Sequence, residues 1–124
     1  MNTWSHEQLE RIKQSDDLHV APFRQDGTTP GTPTWIWSVV VGDELYARAY
    51  HGRASRWFQA ALAQGAGRIT IVDMDLPVTF ELVQDALNNQ IDAAYQAKYA
   101  GHTYLAPMIR NESRSATVRI RPAG

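Results

Sequence analysis

The chain has 124 residues, of which 44% are hydrophobic and 20% are charged, and its formal net charge is −1. This length suits one domain with one hydrophobic core, and so balanced a charge provides no general field for holding nucleic acid. The chain has no cysteine, which excludes disulfides, thiolate metal sites and cysteine nucleophiles. We therefore expect a single domain over 1–124 without a nucleic-acid partner.

The N-terminal residues 1–7 have neither the basic region nor the apolar core of a signal peptide. No apolar run approaches the roughly 20 residues that span a bilayer. The four histidines are scattered, without the spacing of a metal site. We therefore expect a cytoplasmic protein with no membrane partner and no bound metal.

The first third of the chain predicts a helix, a strand and a loop. A capping box formed by Ser5 and Gln8 precedes apolar residues at helical spacing, which predicts a helix over 5–14. The apolar residues within 18–23 predict a short strand. The glycines, prolines and Asp26 within 26–33 predict an exposed loop.

A β-hairpin gives the strongest local signal. Residues 35–41 read Trp-Ile-Trp-Ser-Val-Val-Val, which is typical of a strand covered on both faces. After a turn at 42–43, residues 44–50 predict the antiparallel return strand. Because side chains alternate along a strand, one of its faces carries two tyrosines around an arginine, and we expect that face to line a cleft rather than the core. These residues are Tyr46, Arg48 and Tyr50.

The second half of the chain predicts two helices and three further strands. One helix covers 53–64 and ends at Gly65, a residue that suits a helix C-cap. The other helix covers 84–99. Short connections between strands favour an antiparallel sheet or small barrel, so we expect an α+β fold with about six strands and two or three helices. The remaining strands are predicted around 69–71, at 78–82 and at 117–121, with a turn over 73–77.

Arg48 is the first candidate site residue. An arginine between two aromatic rings on one strand face suits a planar anionic ligand. The basic residues as a group favour such recognition, because only Lys13 and Lys98 are lysines and the rest are arginines. Two alternatives stay open: an exposed arginine stacked on surface tyrosines, and an arginine content set by codon usage.

The residues after Arg48 pass through Gly52 into a predicted helix start. The first backbone N–H groups of a helix can cradle a phosphate, and glycine allows it to approach closely. Arg53, Ser55 and Arg56 would add side-chain donors. The alternative is a capped helix whose arginines face solvent.

These motifs, in this order, resemble the FMN-binding split-barrel superfamily, which includes pyridoxamine-phosphate oxidases and deazaflavin-dependent nitroreductases. The resemblance covers essentially the whole chain, through the run 35–48, the pattern His51-Gly52 with Trp57, and the segments 17–27 and 91–99. The last two segments are similar to an uncharacterised domain family within that superfamily. By position, the resemblance implies cofactor-binding roles for Trp37, Arg48, Tyr50, Gly52, Arg53, Ser55, Trp57 and Lys98.

The resemblance implies a split β-barrel homodimer that binds FMN and acts as an oxidoreductase on an unknown substrate. Deazaflavin-using relatives carry a basic loop where residues 27–33 here have no Lys or Arg, which favours FMN over deazaflavin. Two alternatives stay open. One is a split barrel that has lost flavin and binds another small anion, and the other is a structural dimeric module without catalysis. Neither catalytic residues nor enzyme activity is assigned by the sequence.

Overall fold

The computed structural model describes residues 3–71, 74–83, 87–103 and 105–123. Within these ranges the chain forms seven strands, five helices and one 3₁₀ turn at Gly52–Ala54. The strands are β1 (Leu18–Pro22), β2 (Thr34–Ile36), β3 (Ser38–Val41), β4 (Glu44–Arg48), β5 (Ala66–Ile71), β6 (Met74–Leu82) and β7 (Thr117–Pro122). The helices are α1 (His6–Lys13), α2 (Arg56–Gln64), α3 (Asn88–Lys98), α4 (Leu105–Met108) and α5 (Asn111–Arg114).

All seven strands belong to one antiparallel sheet in the order β2-β1-β5-β6-β7-β4-β3. Its two edge strands, β2 and β3, are consecutive in the chain, and only Trp37 lies between them. The sheet therefore curls into a nearly closed barrel whose split lies at Trp37. This confirms the α+β class and the antiparallel barrel.

Two apolar clusters hold the barrel and its helices together. The first fills the barrel and includes Leu45, Ala47 and Ala49, the inward face of the predicted return strand. The second lies outside the barrel, where α3 packs on β3 and β4. Tyr46 belongs to this second cluster, so both faces of β4 are buried. Burial on both faces supplies apolar contact on each side of the strand that carries Arg48.

Side chains of α3 supply hydrogen bonds where the strand ladder is interrupted at Trp37. The Tyr95 hydroxyl donates to the Trp37 carbonyl oxygen at 2.9 Å and accepts from the Arg48 backbone N–H at 3.0 Å. Lys98 Nζ and the Tyr99 hydroxyl both donate to the Ser38 carbonyl oxygen, at 2.8 and 3.2 Å. Burial raises the pKa of Tyr95 and raises that of Tyr99 to about 12, so both hydroxyls remain donors near neutral pH. The split is thus closed by a helix instead of by a further strand.

Two local signals predicted from sequence are confirmed. Ser5 and Gln8 form a capping box at the start of α1, with the backbone N–H of each residue bonded to the other's side chain. Gly65 caps α2 in the left-handed conformation, with φ at +68°. Both signals depend on neighbouring residues alone, which is why the sequence shows them directly.

Several element boundaries differ from those predicted. The strand over 35–41 is divided at Trp37, because the chain there passes from one edge of the sheet to the other. The predicted turn over 73–77 is wrong for 74–77, which belongs to β6, since pairing with β5 extends as far as Met74. Residue 73 and the predicted helix start at 84–86 lie outside the described residues. The short helices α4 and α5 were not predicted.

Candidate functional site

A cleft of about 530 Å³ opens beside the split of the barrel. We call it the aromatic cleft, because three tryptophans and a tyrosine surround it and apolar atoms make up most of its wall. Among the residues that the structure describes, no carboxylate belongs to its lining. A cleft with these walls suits a flat ligand that carries negative rather than positive charge. The lining consists of Thr34, Trp35, Ile36, Trp37, Arg48, Tyr50, His51, Ser55, Arg56, Trp57, His102 and Met108.

The aromatic walls are held by specific contacts. Trp37 stacks on Tyr99 of α3, with ring centroids 4.0 Å apart and planes 3° from parallel. The edge of His102 meets Trp37 at 4.8 Å between centroids. Trp35 donates from Nε1 to the Asp16 carbonyl oxygen at 2.6 Å. The rings therefore have fixed positions before any ligand arrives, which lowers the entropic cost of binding.

The rim of the aromatic cleft is exposed, in contrast to its floor. Trp35 and Tyr50 are 55% and 40% exposed, which are large fractions for apolar rings in a domain this size. Trp37 and Trp57 form part of the floor and are buried. A ligand in the cleft would therefore cover apolar surface that now faces solvent.

Arg48 belongs to the lining of the aromatic cleft, as expected for its strand face, but its side chain is buried instead of open to a ligand. Its side chain is 0% exposed and is bonded along its whole head group. Nε donates to Thr117 Oγ1 at 3.2 Å, and one terminal nitrogen donates to Asp92 and to the Met108 carbonyl oxygen. The other donates to the carbonyl and side-chain oxygens of Asn88, both at 3.3 Å. Arg48 therefore borders the cleft as a structural group, and neither the anion-ligand nor the surface-stacking interpretation describes it.

Asp92 is the counterion that compensates the buried charge of Arg48. Its carboxylate bonds to Arg48 and to Arg114, whose Nε lies 3.0 Å from Oδ2. Burial alone would raise the pKa of Asp92, but hydrogen bonds from Arg114 and Arg48, with their charges, lower it overall. The network ties α3 and α5 to β4. Sequence reasoning missed it, although Asn88, Asp92 and Tyr95 follow helical spacing and place a carboxylate on a buried helix face.

Gly52 does not provide a phosphate cradle, and that expectation is also wrong. Its φ is +69°, and a Cβ placed there would lie 2.6 Å from Cγ of Glu112 in α5. The Gly52 N–H donates to the Ala49 carbonyl oxygen, and the Ser55 N–H donates back to the Gly52 carbonyl oxygen. Glycine is required because α5 packs directly on this turn. The space and the donors that a phosphate would need are already used.

The remaining predicted residues divide into two groups. Ser55 lines the aromatic cleft at the N-cap of α2, where its side chain makes no capping hydrogen bond. Arg53 is exposed outside the lining, and Lys98 lies at the barrel split, where burial lowers its pKa to about 8. The cleft therefore gathers Trp37, Arg48, Tyr50, Ser55 and Trp57 from the predicted set. It does not include Gly52, Arg53 or Lys98.

Several cleft residues were not predicted. Trp35 carried a usable signal, because it alternates with Trp37 along the same strand segment. His102 and Met108 come from the segment after α3, which gave no pattern in the sequence. Their position depends on the packing of α3 and α4 against the barrel.

The described residues include neither a group that could hold a metal ion nor a membrane-spanning helix. None of the histidines, aspartates and glutamates among them form a group of three that could hold a metal ion. No helix in the described ranges is long and apolar enough to cross a membrane.

Solved structures with similar folds cover nearly the whole chain. The conserved hypothetical protein Rv2991 from Mycobacterium tuberculosis has a TM-score of 0.70 at 15% identity, with 99% of this chain and 82% of that chain covered. A Listeria innocua protein named provisionally as a pyridoxamine 5'-phosphate oxidase has a TM-score of 0.61 at 13% identity, with 94% and 90% covered. At these identities the likeness shows the fold alone.

Comparison with curated proteins gave no match. A family profile matches residues 8–120, nearly the full length of the chain. The match agrees with the resemblance to an uncharacterised family of the split-barrel superfamily. The chain belongs to the family described as uncharacterized proteins conserved in bacteria (DUF2255), and it has a split-barrel fold.

Proposed function

We propose that the aromatic cleft binds a flavin of the FMN type and that the protein is an oxidoreductase that uses it. The observation that carries this proposal is the set of four aromatic side chains around a cavity of about 530 Å³ whose described lining includes no carboxylate. Cofactor sites are typically concave, mostly apolar cavities of roughly 300–1,000 Å³ with a few polar groups that set orientation. The fold of the Listeria innocua neighbour adds support at the level of analogy.

The start of α2 is the part of the cleft that suits the FMN phosphate. The first N–H groups of a helix have no partner within the helix and attract anions. Ser55 has a hydroxyl that is not used in capping, and Arg56 adds a positive charge. The residues present therefore fit one flat ring with one phosphate, and they do so without Arg48.

Bound flavin would supply the redox chemistry, and the chain would supply position and electrostatics. The faces of Trp35, Trp37 and Trp57 would hold the ring and exclude water from one side of it. The segment 27–33, which lacks basic residues, gives a deazaflavin less support than FMN.

A second candidate function is binding of a different small anion without flavin. The burial of Arg48 favours this second candidate. It leaves Arg56 as the one exposed arginine of the lining, and one exposed arginine suits a small anion. Thermal unfolding separates the two candidates, since a ligand that binds only the folded state raises apparent stability. A protein that is stabilised by other small anions and not by FMN would establish this second function.

We also propose that the protein is a cytoplasmic homodimer and that the second copy covers the rim of the cleft. The exposed rings of Trp35 and Tyr50 support this, because apolar patches that face solvent commonly mark contact surfaces. Gel filtration with light scattering measures the mass directly. A monomer at micromolar concentration would contradict the proposal.

Matched variants test the site. Trp35→Ala removes the exposed ring and Arg56→Ala removes the charge, and each is expected to weaken FMN binding about tenfold, the effect of losing about 1.4 kcal/mol. Arg68→Ala is the control, because Arg68 pairs with Asp75 on the β5–β6 hairpin and is not part of the cleft lining. Fluorescence titration with FMN gives the dissociation constants. If all three variants and the unmodified protein have the same dissociation constant for FMN, FMN does not bind in this cleft.

A further inference from the structure

A second hollow of about 410 Å³ lies against the opposite side of the start of α2. Its walls come from the chain after β1 and from one face of α2, and they are far more polar than those of the aromatic cleft. Two arginines and three glutamines contribute side-chain donors. The lining consists of Phe23, Arg24, Gln25, Arg56, Gln59, Ala60, Ala63 and Gln64.

Arg56 lines both cavities, so the two are neighbours that share this residue. Among the described residues neither lining contains an aspartate or a glutamate, although acidic residues slightly outnumber basic ones in the chain, 13 against 12. The nearest carboxylate in sequence, Asp26, is bonded within its own loop to the backbone N–H groups of Thr28 and Thr29. A hydrogen bond from the Thr29 hydroxyl, these backbone bonds and the charge of Arg24 lower the pKa of Asp26 to about 2. The hollow thus presents two arginines, and Asp26, whose charge acts on Arg24, is hydrogen-bonded within its own loop.

The polar groups of the hollow suit a phosphate. Arginine binds phosphate oxygens through two parallel N–H groups, and side-chain amides donate further bonds. Gln59 donates from Nε2 to the Arg53 carbonyl oxygen at 3.0 Å, which fixes its amide at the wall. Arg24 is held by its backbone, whose N–H donates to the Thr29 carbonyl oxygen at 2.8 Å.

We propose that this hollow is a subsite for a second phosphate, on a ligand whose ring occupies the aromatic cleft. The ligand class is then a nucleotide with a pyrophosphate, such as a flavin dinucleotide, and not a mononucleotide alone. Arg56 would lie between the two phosphates, with Arg24 on the far one. The extension toward a dinucleotide rests on the proposed function, whereas the subsite itself can be tested without any flavin.

The test compares FMN with FAD by fluorescence titration of the intact protein, of Arg24→Ala and of the control Arg68→Ala. We expect FAD to bind at least about tenfold more tightly than FMN, because its second phosphate would accept charge-assisted hydrogen bonds from Arg24. Arg24→Ala should remove that preference and leave FMN affinity unchanged, and Arg68→Ala should retain it. Equal affinity for FMN and FAD, or a preference that survives in Arg24→Ala, would overturn the subsite while the proposed function stands.

If neither flavin binds, the proposed function fails. A titration with inorganic pyrophosphate then tests whether the subsite binds a phosphate. The readout is the side-chain amide resonances of Gln59 and Gln64 in a ¹⁵N NMR titration. Saturable shifts that Arg24→Ala abolishes would support the subsite. Resonances that do not move, or that move equally in Arg24→Ala, would overturn it.

Discussion

The ion pair with Asp92 determines whether Arg48, a candidate site residue, is available to a ligand. Arg48 was predicted to face a ligand because Tyr46 and Tyr50 flank it on one face of a predicted strand, but in the structure β4 ends at Arg48 and Tyr50 lies beyond it. What the pattern does not contain is a carboxylate 44 residues later that meets the guanidinium. In this pair Arg48 is buried and its donors are used, so it stabilises the fold instead of binding a ligand.

Asp92→Asn is predicted to lower the free energy of unfolding by about 3 kcal/mol, because it leaves the charge of Arg48 buried without its counterion. Urea unfolding at neutral pH measures the change. Asp75→Asn is the control, since Asp75 pairs with Arg68 at the surface and should change stability by less than about 1 kcal/mol. Equal effects of the two substitutions would contradict the burial of the Arg48–Asp92 pair.

Protonation of Asp92 is expected to make the stability of the protein depend on pH. The pKa of Asp92 is lower in the folded chain than the value of about 3.9 expected when unfolded. Its stabilising contribution is therefore complete above that value and disappears as the pH falls through the folded-state pKa. The gap in unfolding free energy between the unmodified protein and Asp92→Asn should stay constant from pH 7 to about 4 and shrink as the pH falls further toward about 2. A gap that stays constant over the whole range would show that Asp92 does not titrate as described.

Among the elements, helix α3 differs most from what its sequence suggests. Its buried residues indicate a helix that packs on a sheet, which is confirmed. Its tyrosines also hydrogen bond the backbone on both sides of the barrel split, and a helical pattern cannot show which strand lies opposite a given turn. The segment 91–99 is therefore explained by barrel closure, and the cofactor-binding role suggested for Lys98 stays a prediction.

Tyr95→Phe is predicted to cost about 2 kcal/mol of stability, because the Trp37 carbonyl and the Arg48 N–H both lose a partner in a buried place. Urea unfolding measures this change as well. Gln96→Ala, on the exposed side of the same helix, is the control and should have an effect close to zero. A Tyr95→Phe protein as stable as the control would mean that the split does not depend on this hydroxyl.

The contact of α5 with the 3₁₀ turn gives a further prediction at this scale. Gly52→Ala should destabilise the protein by about 1–2 kcal/mol more than Gly42→Ala, because both positions have positive φ but only Gly52 faces Glu112 at close range. Thermal unfolding of the two variants gives the comparison. If the two glycines prove equally tolerant, α5 does not pack on this turn as described.

At the scale of the whole molecule, the class and general architecture could be predicted because they depend on local patterns. Alternating apolar residues, a capping box and a C-cap glycine identify strands and helices wherever they lie. The break at Trp37 and the position of His102 in the cleft could not be predicted, because both depend on which edges of the sheet meet. Of the predicted site residues, Trp37, Tyr50 and Trp57 line the aromatic cleft with Arg48 and Ser55, whereas Gly52, Arg53 and Lys98 lie outside its lining. Their roles in binding a cofactor stay predictions.

The most direct test of the aromatic cleft is an absorbance spectrum of the purified protein, recorded before and after addition of FMN and gel filtration. We expect flavin absorbance bands to co-elute with the protein and tryptophan fluorescence to be quenched, because three tryptophans surround the site. A protein that elutes without flavin, with its tryptophan fluorescence unchanged by FMN, would contradict flavin binding in the aromatic cleft.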